Sequence, residues 1–342
     1  MEYVFDYILF LFQAVTIVAA IIIVLIGIKE VKKDDGAAIK IKDLTKKYEG
    51  YTEALEEFLY SEEYLKERDK KEGKKKKKEK KESKKDKTST GRKSTIFVID
   101  FNGSTMADEV ESLREEITSI LAVAHKNDEV VVNLESPGGA VHGYGLAAAQ
   151  LERIKKKGIK LTVCVDKVAA SGGYLMACVA DKIVAAPFSI IGSIGVVMQS
   201  PNLNKVLKKN DVDYDLITAG EYKRTLTMFG ENTPEAREKV QKELNEIHDI
   251  FQTFITKYRP NVDLKKVATG EHWLASQTLE LGLVDELETS DEYIQNNLKN
   301  KKIISVEYEK EEKLAKKLLK AASLEGESFI DRLMNKKSTP MV

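Results

Sequence analysis

EVVVNLESPGGAVHGYG, residues 129–145, is the stretch on which the reading of this chain turns. It opens on a run of valines, breaks at Pro137-Gly138-Gly139 and resumes with small and apolar residues at helical spacing. Proline ends the strand and glycine permits the turn, so a strand, a tight turn and a helix are expected in that order. The same alternation extends in both directions. STIFVIDF (94–101) reads as a strand, and 108–124 as a helix with Val110, Leu113, Ile117, Ile120 and Leu121 on one face. IKLTVCVD (159–166) reads as a strand, SGGYLMACVA (171–180) as a helix and KIVAAP (182–187) as a short strand. A helix over 202–209, a strand VDYDLIT (212–218) and a long helix from Pro234 to Lys257 follow. Short β runs alternating with helices predict an α/β fold with a mostly parallel sheet. The apolar stretch 183–198 contains Pro187, Gly192 and Gly195, so it reads as strand, turn and strand, not as a membrane span.

Three segments carry chemistry. In ESPGGAVHGYG (135–145), the backbone N–H groups of Gly138 and Gly139 face a helix start, a setting that suits a developing anion. A plain glycine connection between strand and helix is the bland reading. In VDKVAASGGYLMAC (165–178), Ser171 begins a helix and the Gly172 N–H is placed to help hold an oxyanion. A lone serine there is otherwise a helix cap. Ala169 stands where a G-x-S-x-G elbow needs glycine, so an α/β-hydrolase is not supported. In TAGEYKRTLTMFGENT (218–233), Lys223 follows the expected strand 212–218, beside Leu226, Met228 and Phe229. Burial among such groups strips water from an ammonium and favours the neutral amine, which then takes a serine's proton. Most lysines are merely solvated. Of the four histidines only His142, near the glycine turn, competes as a base for Ser171. No H-x-x-x-H or Cys/His set suggests a metal, and no cofactor motif is present.

The remaining sequence divides by composition. After a flank of residues 1–7, residues 8–28 run 21 positions without a formal charge, enough for one transmembrane helix. Lys29, Lys32 and Lys33 follow, which by charge alone favours a cytoplasmic body. Residues 29–69 read as a juxtamembrane amphipathic helical segment. Residues 70–93 hold 14 basic and 4 acidic residues with nothing apolar to bury, a self-repelling linker. The net charge of the chain is zero, so the rest is acidic by ten, which argues against nucleic-acid binding. Residues 94–290 form the expected catalytic domain and 291–342 a helical extension. Cys164 and Cys178 are too few for a disulfide framework.

The motifs LESPGGAVHGYG, DKVAASGGYLMACVADKIVAAP, IGSIGVV, TAGEYKRTLT, GENT, ATGEHW and GLVDE together resemble the SohB-type members of the signal peptide peptidase A family, peptidase family S49. The resemblance covers most of residues 94–290, and the anchor and Lys-rich linker are similar too. It implies a ClpP/crotonase-like fold of repeated ββα-type units behind an N-terminal transmembrane helix. It implies Ser171 as nucleophile, Lys223 as general base, and oxyanion donors from the Gly138-Gly139 turn and Gly172. It further implies a homo-oligomeric ring with sites completed between subunits, Ser171 and Lys223 coming from different protomers. The expected protein is a bacterial inner-membrane serine endopeptidase acting on hydrophobic peptides such as signal peptides. It contacts lipid and uses neither cofactor, metal nor nucleic acid. A crotonase-fold acyl-CoA enzyme and a catalytically silent membrane scaffold are the competing readings.

Overall fold

The β-branched runs around residues 96–99, 130–132 and 161–165 are hydrophobic on both faces, which only a sheet covered on both sides satisfies. The computed structural model describes residues 39–68, 92–220 and 222–309, with residue 70 and positions 7, 9–13 and 16–17. Most of the expected span 8–28, nearly all of the linker 70–93 and everything beyond residue 309 lie outside the described residues. Among the described residues no helix is long and apolar enough to cross a membrane.

Residues 40–308 form one unit. In chain order its elements are β1 (Ile39–Asp43), α1 (Leu44–Leu59), β2 (Thr95–Asn102), α2 (Val110–Val123), β3 (Glu129–Glu135), α3 (Val141–Lys156), β4 (Lys160–Val165), β5 (Val168–Ala170) and α4 (Gly172–Ala177). There follow β6 (Lys182–Ala185), β7 (Ile190–Gly192), α5 (Asn204–Lys209), α6 (Pro234–Tyr258), α7 (Leu264–Val267), β8 (His272–Leu274), α8 (Ala275–Thr278), β9 (Glu286–Leu287), α9 (Ser290–Asn297) and β10 (Lys302–Tyr308). Seven strands make the main sheet in the order β1-β10-β2-β3-β4-β6-β9, parallel from β10 through β9. A second sheet, β5-β7-β8, pairs β5 with β7 in parallel and β7 with β8 antiparallel. The two sheets meet at a bridge between Ser136 and Ala169. Helices α2, α3 and α4 pack successively on one another. The mostly parallel α/β fold agrees with the alternation read from the sequence.

Three expectations are corrected. Residues 39–43, IKIKD, join the sheet instead of continuing a helix, since strict apolar–polar alternation at spacing two suits a strand. The sheet also does not stop at 290: α9 and β10 belong to the same unit, with β10 lying between β1 and β2. The segment 212–218 forms no strand. Its Val212, Tyr214, Leu216 and Ile217 are exposed, and without a neighbouring strand in the protomer there is no ladder to close.

One buried carboxylate ties the late elements to the early ones. Glu129, at the start of β3, accepts from Lys301 Nζ (2.6 Å), Tyr293 Oη (2.6 Å) and Thr162 Oγ1 (2.7 Å), with Lys160 Nζ at 3.0 Å. Burial alone would raise its pKa, but these donors outweigh it and lower the value to about 2. In the unfolded chain a glutamate titrates near ~4.3. The folded value is the lower one, so this stabilisation is fully present above the unfolded value. It is lost as pH falls through about 2. Glu129→Gln is therefore expected to cost up to about 3 kcal/mol at pH 7 and to flatten the loss of stability on acidification. Denaturant unfolding at pH 7 and pH 3 checks this; an unchanged midpoint at pH 7 contradicts it.

Candidate active site

Parallel strands deliver their carboxyl ends to one edge of a sheet, so the loops that leave them gather there. The loop 103–107 leaves β2, the turn 136–140 leaves β3, and Ser171 ends β5. Each is tied to the next. Gly103 N donates to Glu135 O (2.9 Å), and Ala140 N donates to Thr105 O (2.8 Å). Ser136 N donates to Val168 O (2.8 Å), while Ala170 N donates to Ser136 O (3.0 Å).

Ser171 is half-buried and precedes the first turn of α4, with φ 51° and ψ −117°. A positive φ at a residue with a Cβ costs of order 1–3 kcal/mol and persists only where the surroundings enforce it. Here its N–H donates to Gly192 O at 2.8 Å and its carbonyl accepts from Leu175 N at 3.0 Å. The Ser171 side chain makes no capping bond to the helix, so the helix-cap reading does not describe it.

The glycine turn lies directly against this serine. A Cβ on Gly138, whose φ is +87°, would sit 2.7 Å from Ser171 Cβ and from Gly172 N. The Gly138 N–H is already engaged, donating to Ser136 Oγ at 3.1 Å. Among the described residues no protein group accepts the N–H of Gly139 or of Gly172. Gly172 is buried with Tyr144 beneath it, and a Cβ there would come within 2.4 Å of the Tyr144 ring. Gly172 directly follows the nucleophile candidate and Gly139 directly follows the glycine packed against it, and both amides are unengaged among the described residues.

Lys223 lies between α5 and α6 and is exposed in the protomer. Its N–H closes a turn onto Gly220 O (3.2 Å). The far end of the loop is pinned to the start of α5. Asn202 Nδ2 donates to Thr227 O and Gly230 O, and Asn204 Nδ2 to Phe229 O. The expected dry surroundings are not met. Met228 and Phe229 are themselves only partly covered, 40% and 38% exposed. No hydrogen bond joins Lys223 or His142 to Ser171 among the described residues, and His142 is exposed. No group of three or more His, Cys, Asp or Glu among them could hold a metal ion. Cys164 and Cys178 are buried free thiols.

Sequence reading passed over Tyr144, Ser136 and the loop 103–107. The only sign of Tyr144 was a large polar-tipped residue between two glycines in a helix otherwise lined with small side chains, GYGLAAA.

Residues 153–304 match the model for peptidase family S49, and residues 2–151 match the model for its N-terminal region. The chain is 48% identical over 339 residues to the probable protease SohB of Haemophilus influenzae, covering 96% of each protein. It is 59% identical over 199 residues to the probable protease SohB of Buchnera aphidicola subsp. Schlechtendalia chinensis, which spans 58% of this chain and 65% of that one. To Protease 4 of Haemophilus influenzae it is 29% identical over 207 residues, 58% of this chain and 34% of that protein. The chain is thus a SohB-type member of peptidase family S49.

Proposed function

We propose that this peptidase is a serine endopeptidase using Ser171 as nucleophile and Lys223 as general base, on a ClpP/crotonase-like scaffold. The observation that carries the reading is the strained Ser171, packed against Gly138, with the adjoining amides of Gly139 and Gly172 unengaged. Ser171 Oγ adds to the peptide carbonyl carbon as the Lys223 amine takes its proton. The carbonyl oxygen becomes an anion held by the two N–H groups, an interaction worth about 10²–10³ in rate per donor. Collapse of the intermediate expels the amine, which Lys223 protonates. Water then enters, gives one proton to the neutral Lys223 amine and adds to the acyl carbon; collapse of this second intermediate breaks the bond to Ser171 Oγ, which takes the proton back from Lys223, and the acid leaves. Gly138, its N–H engaged elsewhere, shapes the turn instead of donating.

The base comes from a neighbouring subunit in a homo-oligomeric ring. Supporting this are the exposure of Lys223 and the unpaired segment 212–218. Val197, Met198, Val206, Ile217 and Tyr222 also expose apolar surface on the same part of the chain. Contact with a second copy would cover the lysine and strip water from it. The uncharged run 8–28 supports a single N-terminal anchor in a bacterial inner membrane. Substrates are hydrophobic peptides held at that membrane, signal-peptide remnants among them. The family match favours this reading over an acyl-CoA enzyme, and the intact Ser171 and Lys223 favour it over a silent scaffold.

Ser171→Ala and Lys223→Ala are each expected to abolish hydrolysis of a fluorogenic hydrophobic peptide without loss of folding or assembly. Wild-type turnover in purified Lys223→Ala refutes the dyad. Subunit mixing tests the shared site separately. Co-assembled in equal amounts, the two inactive variants should regain about a quarter of wild-type activity, because a random interface receives both intact residues about one time in four. Full inactivity of proven mixed oligomers places both residues in one protomer and contradicts the shared arrangement.

A further inference from the structure

Tyr144 is completely buried in α3, yet its hydroxyl lies in a chain of hydrogen bonds that ends at the oxyanion turn. The direction of that chain follows from counting protons. A phenol has one proton, and Tyr144 Oη gives it to Ser104 O at 2.7 Å. The 2.5 Å contact with Ser136 Oγ must then run from the serine to the phenol oxygen. Ser136 Oγ, its own proton committed, accepts the N–H of Gly138 at 3.1 Å. Every donor has one acceptor: Gly138 N–H to Ser136, Ser136 O–H to Tyr144, Tyr144 O–H to Ser104. Burial first, with the charge of Glu109 adding to it and the Ser136 bond opposing, raises the pKa of Tyr144, so the phenol keeps the proton this chain requires.

The chain's end at Ser104 is itself anchored. Ser104 N and Oγ both donate to Glu109 Oε2 at 3.0 Å. The next residue supplies Thr105 O to Ala140 N at 2.8 Å. The loop 103–107 therefore grips the glycine turn on both sides of Gly139, at Gly138 through Tyr144 and Ser136, and at Ala140 directly. Gly139 is left between two fixed neighbours with its own N–H free. Below, the Tyr144 ring occupies the place that a Cβ on Gly172 would take, so the same side chain supports the second free amide. Gly103, where a Cβ would lie 2.6 Å from Tyr144 Oη and 2.9 Å from Ser136 Oγ, makes room for the two hydroxyls.

We propose that Tyr144 is a positioning residue for hydrolysis, fixing through Ser136 and through its ring the directions of the Gly139 and Gly172 amides that receive the oxyanion. This rests on the Ser171 peptidase reading above. Small errors in aim matter at such a site, since a displacement of about 1 Å costs up to about 10²-fold in rate.

The test uses the full-length protein in detergent, a fluorogenic hydrophobic peptide amide, and the matching peptide aldehyde, whose hemiacetal with Ser171 places an oxygen at the two amides. Tyr144→Phe is expected to lower kcat about 10- to 100-fold. The aldehyde should weaken in parallel, while KM stays within about twofold and the melting temperature close to wild type. Ser136→Ala breaks the same chain without touching the ring and should give the same pattern. The double variant should be little worse than either single one, because the two act as a unit. Should Tyr144→Phe fail to fold, Ser136→Ala alone decides. Unchanged kcat and aldehyde affinity in a folded variant overturn the proposal, as does a loss confined to KM. Wild-type hydrolysis that persists in Ser171→Ala overturns the underlying reading instead, and the relay with it.

Discussion

Two hydrogen bonds at Ser136 hold the site together. Ser136 N–H donates to Val168 O and Ser136 O accepts from Ala170 N, so the last residue before the glycine turn is a strand partner of the segment that delivers Ser171. Ser171 and the turn come from different parts of the chain, yet their relative position is set by β-ladder geometry, which is stiff. The register of β2 against β3, with Asn102 opposite Glu135, brings the loop 103–107 to the same edge. A third loop can then grip the turn from outside. Ser171 follows directly on the end of β5, and the loops packed beside it contribute mainly backbone amides.

That rigidity explains how Ser171 keeps an unfavourable backbone conformation. Alone, a serine at φ 51° would relax. It is held because its N–H is bonded to Gly192 O on β7, its carbonyl begins α4, and Gly138 fills the space beside its Cβ. The glycines at 138 and 172 serve this packing. One adopts a left-handed φ and the other clears an aromatic ring, and no larger residue satisfies either requirement. Farther away, Glu129 joins β3, β4, α9 and the approach to β10 through four donors, so the sheet beneath the site is closed by chain from both its beginning and its end.

Much of this was legible in the sequence where apolar runs were long. β2, β3 and β4 announced themselves as apolar runs and α2 by its periodic buried face, while α6 was marked by Pro234 at its first turn. β8 and β9, three and two residues long, carry too few positions to show any period. β10 lies in a polar tail, where the short run IISV gave little sign that it would join the main sheet. The site was legible in its motifs, S-P-G-G and A-S-G-G, but not in its support. Nothing in spacing reveals that a tyrosine six residues beyond Gly138 returns beneath Gly172 and reaches Gly138 through Ser136, since that depends on how α3 packs against α4. Lys223 shows the opposite limit. Its apolar neighbours suggested a dry pocket, yet the lysine is exposed, because sequence pattern registers apolar residues without saying whether the chain folds over them.

The central claim is that Ser171 is the nucleophile, made reactive by its held geometry. The most direct measurement is to treat the folded protein with a fluorophosphonate and locate the adduct by peptide mass mapping. The account predicts a single phosphonylated site, on Ser171. An unlabelled Ser171, or a label carried by another residue in protein that hydrolyses peptides, would contradict it.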